Sequence, residues 1–322
     1  PRLAVLSQEH NGRQSYKYDG MDFFKPHNPA VYNPAYTMDE LTRLPTVEYL
    51  SGFLVLKYVE MKKHIEVSAQ NIAGKIVQVF RAKKLILAAG ALNTTKIVLA
   101  SNNDYTTQLP IMENPMACIP IVDYKLIGSK VTRADSPLAQ LNLIYEGDSS
   151  TGPVQASLYG STGPLRTDVT FGFPLSIGAN ISLMKYIAPA SGLMMVFFPG
   201  SLSKSNYVAL NRNNSLEISY AEEVRDTATI KALMHAFRKM GYICMEALNQ
   251  YPRAGNSLHY AAIFPMKHSP RKYQTHPDGR LSGTEHVYIA DSACFPGLPA
   301  KNLTFTIMAN ALRIGRKLYR KL

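Results

Sequence analysis

His259 stands in GNSLHYAAIFPM, a run of small and apolar residues without a charge of its own. Partial desolvation in such a run lowers an imidazole pKa and keeps the ring neutral near pH 7. A neutral imidazole can accept a proton. The same surroundings equally suit a core histidine satisfied by one backbone hydrogen bond. A second polar group in an unexpected place is Asn302, within HVYIADSACFPGLPAKNLTFTIMANALRIGRKL, residues 286–318, where an apolar strand gives way to an amphipathic helix. Its plain role is the helix N-cap, because it precedes Thr304 and the run Phe305, Ile307, Met308, Ala309 and Leu312. A third feature is AAGALNTTKIVLAS, residues 88–101. A strand, a tight Ala-Gly turn and a helix can aim backbone N–H groups at a phosphate or a cofactor, although one glycine in such a turn is also common for structural reasons alone.

Other chemistries lack their residues. His10, His27, His64, His235, His268, His276 and His286 sit in polar or turn contexts or on a helix, without metal-ligand spacing, and most are expected at the surface. The chain carries no HExxH and no G-x-S-x-G elbow, which disfavours metal and serine hydrolysis. Cys118, Cys244 and Cys294 form no CxxC pair, so neither a disulfide framework nor a zinc site is expected, and a reducing compartment is favoured. No metal is predicted.

The 322 residues, 46% hydrophobic and 18% charged, are enough for a large core in one or two domains. The net charge of +12 raises the question of polyanions, but the basic residues are scattered. Their one dense cluster, Arg313, Arg316, Lys317, Arg320 and Lys321, is expected on the solvent side of the terminal helix, where cations suit the macrodipole. No nucleic-acid-binding motif is present, and nucleic acid is not an expected partner. The longest apolar runs fall short of the roughly 20 residues a membrane span needs, and no signal peptide opens the chain. Pro1 in place of methionine leaves open that the natural chain starts upstream.

These residues need elements to hold them. Residues 1–45 read as an ordered loop packed by Tyr16, Tyr18, Phe23, Phe24, Tyr32 and Tyr36 and punctuated by Asn28-Pro29 and Asn33-Pro34. Residues 46–87 carry strand-like runs, FLVLKYVEM, HIEVSA, KIVQVF and KLILAA, that predict an antiparallel meander feeding a final buried strand. Residues 102–222 predict a mostly antiparallel sheet, in which GANISLMKYIAPASGLMMVFF is ambiguous between strand and helix. A helix is expected over 222–248, from Ile230, Leu233, Met234, Phe237, Met240 and Ile243. The expected division is 1–119, 120–222 and 223–322.

Taken in order, LHYAAIFPM, THPDGR and VYIADSACFPGLPAKNLTFTIMANALRIG resemble the C-terminal part of glucose-methanol-choline (GMC) oxidoreductases, FAD-dependent enzymes that oxidise alcohols, sugars and sterols. GALNTTKIVLAS resembles the family's second signature, with Thr95 where proline or serine is usual. The similarity is strongest over 206–318 and 83–101, faint in 1–45 and absent over 102–205. It implies an α/β plus α+β fold: part of a FAD/NAD(P)-binding Rossmann-like domain with an antiparallel-sheet substrate domain. It also implies a histidine paired with a histidine or asparagine about forty residues on. Here those are His259 and Asn302, 43 residues apart. In the family's chemistry, the hydroxyl proton leaves as hydride passes to flavin N5, so a base and a hydrogen-bonding group converge on one oxygen. The resemblance assigns the base to His259 and the orienting amide to Asn302. It assigns the cofactor side to Ala89, Gly90, Ala91, Asn93, Asp291, Ser292, Ala293, Asn302, Leu303 and Thr304.

The chain departs from the family in lacking the G-x-G-x-x-G turn that holds the FAD pyrophosphate. The expected partners are therefore a small alcohol or sugar and a FAD-binding segment supplied upstream or by another chain. Ala261, Ala262 and Lys267 replace glycines frequent in relatives, and residues 1–45 lack the cysteines often found there. A non-catalytic binding protein on the same scaffold, or a degenerate or split fragment, is the alternative.

Overall fold

The structure is a computed structural model and describes residues 7–9, 12–16, 30–130, 139, 141–146, 152–160, 175–221 and 226–320. His10, Tyr18, Phe23, Phe24, His27, Asn28-Pro29 and Lys321, named above, lie outside the described residues. In chain order the elements begin with α1 (Pro34–Leu41), β1 (Phe53–Glu60), β2 (Ile65–Asn71), β3 (Val77–Ala82), β4 (Leu85–Leu87) and α2 (Ala91–Ser101). Next come β5 (Leu109–Pro110), β6 (Met112–Glu113), β7 (Met116–Asp123), β8 (Leu141–Tyr145), β9 (Val154–Gly160), α3 (Ile177–Ile187), β10 (Ser191–Phe197), β11 (Tyr207–Leu210) and β12 (Leu216–Ser219). The last part holds α4 (Thr227–Lys239), β13 (Tyr242–Ile243), β14 (Tyr260–Ala261), β15 (Val287–Ile289) and α5 (Thr304–Tyr319).

The fold is mixed α/β, with antiparallel sheets and one parallel pair among the described residues. Strands β1, β2 and β3 form the expected antiparallel meander. The turn between β2 and β3 is closed by the Asn71 carboxamide, whose Oδ1 accepts from the N–H groups of Ala73 and Gly74. Strand β4 leaves the meander and pairs in parallel with β15, Val287 lying opposite Leu85. The second sheet has the order β13-β7-β10-β9-β8, antiparallel throughout. Its last strand, β13, comes from beyond residue 222, while β11 and β12 join β5 in a separate small sheet.

Three buried clusters hold these layers, the smallest of them docking α5, through Ile314 and Leu318, on Tyr288 and Ala290. The largest joins Ile97, Val98 and Leu99 of α2 to Val208 and Leu210 of β11, to residues 261–264 and to β15. The second packs α4, through Ile230, Leu233, Met234 and Phe237, on Ile119, Ile121, Met194 and Val196 of the five-stranded sheet. Burial of such faces is worth about 25 cal/mol per Å².

Three local expectations change. Asn33-Pro34 is not a loop turn but the start of α1: the Asn33 side chain accepts from the Ala35 N–H at 2.9 Å, and Pro34 sits where a helix has no use for an N–H. Among the described residues of 222–248 the expected helix is α4, ended at Gly241, whose φ of 95° only glycine adopts readily, and a single 3-10 turn at Glu246–Leu248 follows. Met240 and Ile243 therefore face solvent, 58% and 45% exposed. The ambiguous GANISLMKYIAPASGLMMVFF splits into α3, capped by Ser176, and β10.

Candidate active site

Two strand-turn-helix junctions lie side by side because β4 and β15 run parallel. After β15, the buried Asp291 turns its carboxylate across to the other junction. Its Oδ2 accepts from the Gly90 N–H at 3.0 Å and the Thr94 hydroxyl at 2.5 Å, while Oδ1 accepts from the Ala293 N–H at 2.9 Å. Burial pushes this carboxyl above its usual range, and the Thr94, Ala293 and Gly90 donors oppose the shift. The turn at Ala88, Ala89 and Gly90 is exposed, as is Asn93, whose side chain donates to the Ala89 carbonyl; Ala91 is buried. Space is open over Gly90, where an added Cβ would meet no atom within 4 Å.

The segment carrying His259 is stitched to this junction. Ala262, Phe264 and Met266 donate their N–H groups to the carbonyls of Ser292, Ala293 and Cys294, and the Ser292 hydroxyl donates to the Tyr260 carbonyl at 2.7 Å. Ala262 takes φ of 63°, a left-handed conformation that glycine adopts more readily than alanine. Cys294 is buried, its thiol pushed up to about 12 chiefly by burial, which makes it a poor nucleophile.

His259 itself is half-buried, its ring 5.3 Å from that of Phe197 and tilted by 32°. Its Nδ1 lies 3.1 Å from the Asn114 Oδ1. Burial lowers the imidazole pKa, and the nearby Glu113 charge acts in the opposite direction. The segment that looks uncharged in sequence thus has an acid beneath it. A ring in this setting stays neutral at pH 7 and can accept a proton.

Asn302 does not cap the last helix. Helix α5 begins at Thr304 after Leu303, with no side-chain cap, and Asn302 is exposed on the approach to it. Leu303 is buried and Thr304 exposed. Among the basic residues of that helix, Arg313 also departs from expectation. It folds inwards, donating to Asn310 Oδ1 at 2.7 Å and to the Pro277 carbonyl, while Arg316, Lys317 and Arg320 remain exposed.

Glu113 and Asn114 are the residues that sequence reading missed. They are 4% and 1% exposed, at the end of β6, which pairs with β14 beside His259. Glu113 accepts from the N–H groups of Gly255 (2.6 Å) and Ser257 (3.1 Å) and from the Ser257 hydroxyl (2.8 Å), and so fixes the loop that leads into His259. Asn114 donates from Nδ2 to the carbonyls of Phe198 (2.8 Å) and Pro299 (3.2 Å). A signal was present: Glu-Asn interrupts the apolar run IMENPMACIPIV, and a buried polar pair requires partners.

A cavity of about 400 Å³ is lined by Met266, Lys267, His268, Pro277, Pro296, Asn310 and Arg313, and it touches neither His259 nor Asp291. No group of three or more His, Cys, Asp or Glu that could hold a metal gathers among the described residues. Nor is any described helix long and apolar enough to cross a membrane.

Residues 203–311 match the family model described as GMC oxidoreductase. No curated protein matches the chain in sequence. Pyridoxine 4-oxidase from Mesorbium loti is similar in structure, with a TM-score of 0.55 and 13% identity over 83% of this chain and 57% of that one. A FAD-dependent oxidoreductase from Chaetomium thermophilum is similar with a TM-score of 0.51 and 13% identity, over 92% of this chain and 65% of that one. The chain thus spans less than two thirds of the length of either structure and shares their fold. Residues 203–311, which hold the motifs around His259 and Asn302, are thus similar in sequence to the GMC oxidoreductase family.

Proposed function

We propose that the chain is the larger part of a FAD-dependent oxidoreductase acting on the CH–OH group of a small alcohol, sugar or sterol, with His259 as the base. The observation that carries this reading is the half-buried His259 imidazole, with a depressed pKa, on a segment hydrogen-bonded along its length to the Asp291–Cys294 turn. The family match over residues 203–311 supports it independently.

The residues fit a flavin dinucleotide. The Ala88–Gly90 turn is exposed and free of bulk, and the first N–H groups of α2, from Ala91 to Asn93, have no acceptor within their own helix. Such a terminus suits an anionic or strongly accepting group. Gly90 is set apart from these donors because its N–H is already held by Asp291. Ala89, Gly90, Ala91, Asn93, Asp291, Ser292, Ala293, Leu303 and Thr304 would form the cofactor side. When bound, FAD would supply the acceptor for hydride. The protein's part is proton handling: His259 takes the hydroxyl proton, and the exposed Asn302 amide orients the oxygen and stabilises its alkoxide character. In this reading residues 1–119 and 223–322 serve the cofactor and 120–222 the substrate.

A further FAD-binding segment, upstream or on a partner chain, is part of the proposal. Its support is an apolar stripe along α5, Phe305, Met308 and Leu312, which stays exposed. The test is spectroscopic: the purified protein with that segment should be yellow, and its flavin band should bleach anaerobically on adding an alcohol or sugar substrate. A colourless protein that cannot be loaded with FAD ends the reading.

A further inference from the structure

The Asn114 carboxamide has its orientation decided by its own partners. Its Nδ2 lies 2.8 Å from the Phe198 carbonyl oxygen and 3.2 Å from that of Pro299. Rotating the amide by 180° would set its oxygen against two carbonyl oxygens and leave no donor for either, so the nitrogen belongs where it is. Oδ1 is then left facing His259 Nδ1 at 3.1 Å, and an amide oxygen can only accept. The proton on a neutral His259 must therefore sit on Nδ1.

We infer that Asn114 is a positioning residue for the proposed oxidation, holding His259 in the tautomer whose Nε2 lone pair is free to take the substrate's proton. The inference rests on the role of His259 as base. The tautomer matters because an imidazole protonated on Nε2 would offer the substrate a donor in place of a base. Asn114 also ties together the parts that frame the ring. Phe198 follows Phe197, whose ring lies against His259, and Pro299 is in the loop that leads to Asn302. The substrate-side sheet and the loop before α5 thus meet at one buried amide. Glu113, next in sequence, is the charged group acting on the imidazole, and it anchors the backbone of the loop that leads into His259.

The test uses the FAD-loaded protein with ¹⁵N-labelled histidine. Two-bond ¹⁵N–¹H spectra at neutral pH should show His259, assigned by its loss in His259→Gln, protonated on Nδ1. In Asn114→Leu the spectrum should shift towards mixed tautomers, with flavin reduction slowed about 10- to 100-fold at nearly unchanged substrate affinity. Asn114→Asp, with a proton on the oxygen that faces the Phe198 and Pro299 carbonyls, keeps an acceptor for Nδ1–H and should keep the tautomer. Its flavin reduction should stay closer to wild type than that of Asn114→Leu. A wild-type His259 protonated on Nε2 overturns the inference whether or not any variant folds. So does an Asn114→Leu protein that reduces its flavin within twofold of wild type. Failure of the base assignment looks different: His259→Gln would then reduce its flavin normally, while the spectrum still reported the Asn114 contact.

Discussion

Asp291 reaches across the parallel pair to Gly90, accepting its N–H at 3.0 Å although 201 residues separate them. One carboxylate thereby aligns the turn that opens α2 with the turn that precedes α5, and its other oxygen holds the Ala293 N–H. Asp291→Ala leaves the Gly90 and Ala293 amides and the Thr94 hydroxyl without their partner. It should cost on the order of 3 kcal/mol in denaturant unfolding, since each buried unsatisfied group costs about 1–3 kcal/mol. Asp291→Asn should lose less, because one oxygen remains for Gly90 and Thr94. Equal stability of the alanine and wild-type proteins would show that the bridge is idle.

Glu113→Gln tests the acid beneath the site. The Glu113 charge raises the His259 pKa against the effect of burial. Removing it should lower the pH at which flavin reduction fails on the acid side. Glu113→Ala should in addition loosen residues 255–257, which would appear as faster amide exchange at Ser257. An unmoved acid limb in Glu113→Gln would place that limb on another group.

How much of this was legible in the sequence differs from residue to residue. The strand, turn and helix around Gly90 could be read because hydrophobic period and turn chemistry are local. The same holds for α4, whose apolar residues recur at helical spacing as far as Phe237. Locality also misled. Asn302 has the type and place of a cap, yet α5 starts two residues later, after Leu303, and no side chain closes its first turn. Glu113 and Asn114 depend on partners about 140 residues downstream, at Gly255, Ser257 and His259, and only tertiary packing brings these together. Arg313 shows the same limit, since helical spacing could not reveal the Pro277 carbonyl waiting for it.

Ala262 carries a backbone conformation made for glycine. Ala262→Gly relieves the left-handed strain, about 1 kcal/mol, and loses a buried methyl of similar worth, so stability should change by no more than about 1 kcal/mol. Ala262→Val, β-branched in the same conformation and fully buried, should lose about 2 kcal/mol or more. Comparable unfolding midpoints for the valine and glycine variants would contradict the strained backbone at this position.

The depressed His259 pKa also sets a pH dependence of folding. Below about pH 6.5 the unfolded chain takes up a proton that the folded site resists, so stability is present above that pH and is lost as the pH falls towards the folded pKa. His259→Gln should flatten this part of the urea-unfolding curve between pH 8 and pH 5.5. An identical slope in both proteins would mean that the imidazole is not desolvated.

The central claim is that His259 is the base of a flavin-dependent oxidation, and anaerobic stopped-flow reduction of the FAD-loaded protein by an alcohol or sugar substrate tests it most directly. His259→Ala should bind FAD as wild type does and reduce it about 10² times more slowly or worse, because the loss falls on proton abstraction. Flavin reduction at the wild-type rate in His259→Ala, with FAD fully bound, would contradict the claim.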